Sequence, residues 1–174
     1  MAEGKNQKTT KKTEVYIEPE MPHEIDLDAK VTVRSIAGWD TGFARKVEFG
    51  DVTIVPNGSI RLSRNEIIAQ IQSGNKLFTG IDGVGSHATL YIEDKATRIE
   101  VDFENENTKQ NVFSDSKINE LFDIKSLETF KKRFVEEIYT RAEKFAAIEA
   151  IKRLGLNDYT KIRFAEIYTG YRVQ

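Results

Sequence analysis

Asp40-Thr41-Gly42 places a carboxylate on a glycine turn. Two such carboxylates brought together share one proton, because like charges that close cannot both ionise, and a shared proton serves acid–base hydrolysis. The chain holds one such triplet, so this chemistry requires two copies of the chain meeting at Asp40. His87, with Asp82 and Glu93, supplies the ligand types of a hard-ion or zinc site. A lone histidine without a second ligand at a paired spacing reads instead as hydrogen-bonded structure. His23 lies in an acidic stretch. Gly80, Gly83, Gly85 and Ser86 offer backbone amides to a phosphate, but the stretch lacks the lysine of phosphate loops. It also leads into a strand rather than opening a helix, so it reads as a flexible connection that approaches a partner closely. The 174 residues contain no cysteine and only two histidines. Nucleophilic, acid–base and transition-metal sites draw mainly on those residues and on clustered carboxylates. A binding role is therefore expected over catalysis, with no cofactor and no metal.

The bulk numbers bound the architecture. A chain of this length fits one ordinary domain, or one domain with an appendage. Apolar residues are 39% and charged residues 31%, enough for a core. A net charge of −2 excludes a globally basic nucleic-acid binder but not a local basic face. Absence of cysteine agrees with a reducing, cytoplasmic setting. No 18-residue apolar run and no signal peptide are seen, so neither a membrane nor export is expected. Asp-Thr-Gly is also the triplet of aspartic proteases. Here Phe43 follows it, where that family has a small residue, and no later apolar-apolar-Gly segment stands in support. A dimeric aspartic protease is the third and weakest hypothesis.

Residues 1–28 read as a tail and a linker. Lys5, Lys8, Lys11 and Lys12 make the first part basic and too polar to offset its ordering entropy. Glu14, Glu18, Glu20, Glu24, Asp26 and Asp28 make the second part acidic, with Tyr16, Ile17, Met21, Ile25 and Leu27 interleaved. Such a segment can dock along a partner or mimic a phosphate backbone.

Residues 29–103 read as a β-rich unit. Ala29–Ile36 alternates, with Val31, Val33 and Ser35 on one face and Lys30, Thr32, Arg34 and Ile36 on the other. Further strands are expected over Phe43–Phe49, Val52–Val55 and Ser59–Leu62, with Pro56-Asn57-Gly58 as a turn. Ser63-Arg-Asn-Glu66 has capping-box spacing and opens a helix with Ile67, Ile68 and Ile71 inward, ended by Gly74. Ala88–Glu93 and Thr97–Phe103 alternate around Asp94-Lys95 and predict a hairpin. Residues 104–114 form a polar linker. In 115–174 the period becomes 3.6: a short helix over Ser116–Phe122, then a long one over Ser126–Leu154. The long stripe is Leu127, Phe130, Phe134, Ile138, Ala142, Phe145, Ile148, Ile151 and Leu154. A rod of that length spans about 43 Å, so part of it should pack on another helix or a second copy. Residues 157–174 favour a helix capped by Asn157 or Asp158 and ended by Gly170, over a strand through Ile162, Phe164 and Tyr168. Ala146 to Tyr168 is similar in outline to a helix-turn-helix around Gly155, without the basic residues its second helix would need.

The expected fold is α+β: a small antiparallel or mixed sheet, or a partial barrel, with one inserted helix, then a helical section with one long helix. The leading function is a non-catalytic accessory, inhibitor or adaptor protein, of a kind found in phage or mobile elements. It engages a protein partner through Glu18, Glu20, Glu24, Asp82, Gly83 and Gly85, with self-association through the long helix. The alternative is a nucleic-acid module. Lys30, Arg34, Arg45, Lys46, Arg61 and Arg64 outnumber Asp40, Glu48 and Asp51, with Trp39, Phe43 and Phe49 among them. Trp39, Phe43, Arg45, Lys46, Arg61 and Arg64 form the candidate stacking face. The order of elements resembles that of the OB-fold, which implies binding of single strands across a strand face.

Overall fold

Residues 25–173 are described by a computed structural model. The tail and the acidic residues Glu18, Glu20 and Glu24 lie outside them. The fold is α+β, with five strands and seven helices in chain order among the described residues. Strands β1 (Lys30–Ser35), β2 (Thr41–Ala44), β3 (Asp51–Ile54) and β4 (Ser59–Ser63) come first. Helices α1 (Arg64–Gln72) and α2 (Lys76–Thr79) precede β5 (Leu90–Ile92). Helices α3 (Lys95–Glu100), α4 (Asp115–Phe122), α5 (Leu127–Glu137), α6 (Arg141–Arg153) and α7 (Tyr159–Thr169) complete the chain.

The strands make two antiparallel sheets that do not close into a barrel: β4-β1-β5, and the β2-β3 hairpin. In the larger sheet Val31 faces Leu62 across the ladder and Val33 faces Ile92. Alternation then sends one row inward and Lys30, Thr32, Arg34, Arg61 and Tyr91 outward. The inward row packs with Val52 and Ile54 of β3, Ile67 of α1 and Phe78 of α2 into a β-side core. A second core is helical: Phe130 and Phe134 of α5 with Ile138 at its end, Ile148 and Ile151 of α6, Ile118 and Leu121 of α4, and Ala165 of α7.

The two cores meet where β1 ends. Ile36 was expected outward with Lys30 and Arg34, yet it is buried with Ala37 in the helical core, because the strand stops at Ser35. Gly38 lies flat against Phe145, whose ring is wedged edge-on between Trp39 and Tyr171. His87 Nδ1 meets Glu143 Oε1 at 2.8 Å and carries the β side onto α6.

Three expectations are corrected. The strand expected over Phe43–Phe49 begins earlier and ends at Ala44, so Thr41 and Gly42 belong to β2 and only Asp40 precedes it. The second strand of the hairpin after Asp94 is helix α3. Asp94 Oδ2 accepts from both the amide and the hydroxyl of Thr97, a helix cap, and period-two spacing of Ile99, Val101 and Phe103 was a coincidence of a short segment. The long helix is two. It breaks at Ile138, and Thr140 with Glu143 forms a complete capping box that starts α6. Helix α7 then folds back across α5. Phe164 packs edge-on to Phe130 and Phe134, and the Tyr168 hydroxyl donates to Ile138 O at 2.9 Å, satisfying a carbonyl freed by the break. The final segment is a helix as favoured, capped by Asp158 and closed by a left-handed Gly170.

Candidate protein interface

The hairpin loop from Arg45 to Gly50 is held from beneath by two carboxylates. The capping-box spacing at Ser63 is half realised: Ser63 Oγ accepts from the Glu66 amide at 3.3 Å, but Glu66 does not reach back to Ser63. Its carboxylate, 0% exposed, turns to the loop and accepts from the amides of Lys46 (2.8 Å), Val47 (2.9 Å) and Glu48 (3.2 Å). A fourth bond comes from Gln70 Nε2 at 2.8 Å, which also donates to Ala44 O. Burial pushes the Glu66 carboxyl up, and the bonds from Gln70 and the three amides more than offset that, leaving it below its ordinary value. Glu48 is the second anchor. It takes a hydrogen bond from Lys30 Nζ at 2.9 Å, pairs with Arg45 and accepts from Ser63 Oγ at 3.2 Å. The Lys30 bond is the main reason its carboxyl is lowered.

With the loop's amides and its carboxylate directed inward, its apolar side chains are left outside. Phe49 is 105% exposed, more open than in an extended reference peptide, and Val47 is 48% exposed. A phenyl ring in water is unfavourable, and here the loop presents it there, one residue beyond the last amide bonded to Glu66.

The candidate stacking face divides among several surroundings. Trp39 is half-buried, edge-on to Phe145 with the Arg141 guanidinium 4.5 Å over its ring. Phe43 points into the β-side core against Phe78. Arg45 is paired with Glu48, and Arg64 with Asp94 at 3.1 Å and Thr97 at 2.9 Å. Arg61 lies on the outer face of the sheet, bonded to Lys30 O, and Lys46 is exposed on the loop. Among the described residues neither Lys46 nor Arg61 has a carboxylate partner. In the glycine connection, Asp82 and Gly83 are exposed beside Ile81 and Val84. Gly85 is not: a Cβ there would fall 2.6 Å from the Phe103 ring, so this glycine lets the connection close over Phe103. No protein-family model, no curated protein and no solved structure matches this chain.

His87, Asp82 and Glu93 are directed apart. Asp82 Oδ1 accepts from the amides of Val84 and Ser86, Glu93 lies 3.5 Å from Arg34, and His87 is taken by Glu143. No group of three His, Asp or Glu side chains is placed to hold a metal ion among the described residues. The other His87 nitrogen meets the Asn111 amide at 3.5 Å. Asp40 is exposed at the entry to β2, where Thr41 is buried and shares a hydroxyl contact of 3.2 Å with Ser35. No helix among the described residues is long and apolar enough to cross a membrane.

The sequence had no direct signal for Glu66 as the organiser of the loop, since a glutamate three residues after a cap normally closes the cap. Phe49 was visible, but assignment of Phe43–Phe49 to a strand placed it in a row with Phe43. Tyr91 and Arg98 were not singled out in the sequence; Arg98 lies in the segment expected as a strand and is in α3.

Proposed function

We propose that this chain is a non-catalytic binding protein that engages a protein partner through the loop from Arg45 to Gly50. The observation that carries the reading is the full exposure of Phe49 on a loop held by three amide bonds to a buried Glu66. An aromatic anchor contributes most to an interface when it enters a pocket, and a loop already in its bound shape loses little entropy on binding. The partner surface has an apolar pocket for Phe49, shelved by Val47, and a rim that accepts Lys46. An adaptor or inhibitor role suits such a chain, and the acidic stretch with Glu18, Glu20 and Glu24 is offered as a second contact.

A photo-crosslinking phenylalanine analogue at position 49, expressed in the source cells, tests this. The expected result is a discrete protein adduct, suppressed by excess wild-type chain but not by Phe49→Ala. Absence of any protein adduct, or equal suppression by both chains, overturns the reading. Charge reversal of Glu18, Glu20 and Glu24 should weaken the same complex if the acidic stretch contributes.

A second reading, single-stranded nucleic acid, is favoured by the outer sheet face, where Lys30, Arg34 and Arg61 stand beside Tyr91. It predicts retardation in a gel at physiological salt, and a smaller salt dependence for Arg34→Ala with Arg61→Ala, by about 0.7 per lost phosphate contact. Retardation with an unchanged salt slope in that double variant removes the outer face from consideration.

A further inference from the structure

Beside the outer sheet face, the segment entering α4 borders an open cleft of about 340 Å³. Its lining includes Arg34, Tyr91, Arg98, Glu104, Lys109 and Gln110. Arg34 and Tyr91 are directly opposed across the β1–β5 ladder, and Arg98 arrives from α3. Both guanidiniums lie over the Tyr91 ring, at 5.7 Å for Arg34 and 5.2 Å for Arg98. Arg98 is buried and locked: Nε donates to Glu104 at 2.7 Å, and Nη1 donates to Ile92 O and Glu93 O. Its Nη2 has no hydrogen bond among the described residues. Arg34 contacts Glu93 through Nε at 3.5 Å, outside the lining, and its two Nη atoms likewise make no bond. Lys109 is exposed and without a carboxylate partner among the described residues.

Three cations from three separate segments thus stand with two carboxylates, Glu104 on Arg98 and Glu93 on Arg34, which leaves one positive charge. That excess suits an anion, and guanidinium forks suit phosphate oxygens. Gln110, also in the lining, is tied to the glycine connection. Its Nε2 donates to Gly85 O at 2.7 Å, which fixes the amide, because a backbone carbonyl only accepts. Its Oε1 is buried out of reach of the cleft and has no partner among the described residues. The volume suits a ligand of mononucleotide size. We propose that this cleft binds the phosphate group of a small organic phosphate. Arg34, Arg98 Nη2 and Lys109 hold the phosphate. The site is separate from the loop from Arg45 to Gly50 and does not rest on the reading above.

The test is calorimetric titration of the full chain with AMP, with inorganic phosphate as competitor and a short single-stranded DNA in a parallel arm. Saturable AMP binding, reduced by phosphate and weakened at least about tenfold in Arg34→Gln with Lys109→Gln, is the expected result. Lys109→Gln alone, on an exposed side chain, guards against loss of fold, and should weaken AMP in the same direction. No AMP binding, or AMP binding indifferent to these substitutions, overturns the proposal. DNA binding that these variants weaken, without AMP binding, overturns it in favour of the nucleic-acid reading.

Discussion

Glu66 shows how much one carboxylate can organise. Four donors converge on it at full burial, two on each oxygen, and two of them would face amide hydrogens in Glu66→Gln, which keeps one oxygen and loses the charge. Loss of a charged, buried acceptor of this kind costs about 2–3 kcal/mol, to be read as a lower midpoint in urea unfolding. The same variant should weaken any complex made through Phe49, although the ring itself is untouched. The acid limb of stability follows from the sign of the shift. The folded Glu66 carboxyl lies below its unfolded value, so its stabilisation is complete above the ordinary carboxylate range. It is lost as the pH falls through the folded value. Asp94 behaves alike: burial raises it, and the Thr97 hydroxyl and amide with Arg64 bring it below the ordinary value. Thermal midpoints should therefore fall as pH drops below that range, and less steeply in Glu66→Gln. At this scale the sequence was legible for caps. Ser63, Ser126 and Asp158 each cap a helix near where spacing placed one, because a cap is a local bond between near neighbours. Glu66 was not legible, because its partners lie 18 to 20 residues away.

Elements were legible where pattern and cap agree over enough residues. Strands β1, β3 and β4 and helices α1, α4 and α7 fall close to their expected places, each with an inward row at the right period. The failures share a cause. A stripe at spacings of three and four continues through Ile138 and Ala142 whether or not the backbone does, so periodicity alone could not see the break. Thr140-Arg-Ala-Glu143 carried the warning, since the capping box satisfies amides that a continuous helix would not leave free. Thr140→Ala should lower stability by about 1 kcal/mol, measured by denaturant unfolding. Glu143→Ala should cost more, because Glu143 also accepts from His87 and is 2% exposed. A Thr140→Ala variant as stable as the wild type would mean that packing of Ile138 and Ala142, not the cap, sets the break.

At the scale of the whole molecule the chain carries two cores sharing a narrow seam. Trp39, Phe145 and Tyr171 form one part of it, and His87 with Glu143 another. Gly38 is the closest approach, where a Cβ would stand 2.2 Å from the Phe145 ring. Gly38→Ala should therefore destabilise by about 1–3 kcal/mol through overpacking. It should also separate the unfolding of the two sides, seen as Trp39 fluorescence moving ahead of far-ultraviolet circular dichroism. A single coincident transition in that variant would show that the seam tolerates the methyl group. The seam was beyond sequence reading, since it joins positions 56 residues apart at His87 and Glu143 and more than a hundred apart at Gly38 and Phe145. The fold-back of α7 has a further consequence, in terms of mass action. A continuous rod would have offered its stripe to a second copy, and stability would then rise with protein concentration. Here Phe130, Phe134, Ile138, Ile148 and Ile151 are already enclosed within one chain. The melting temperature should stay fixed when the protein is diluted a hundredfold, as for a molecule that completes its helical core alone.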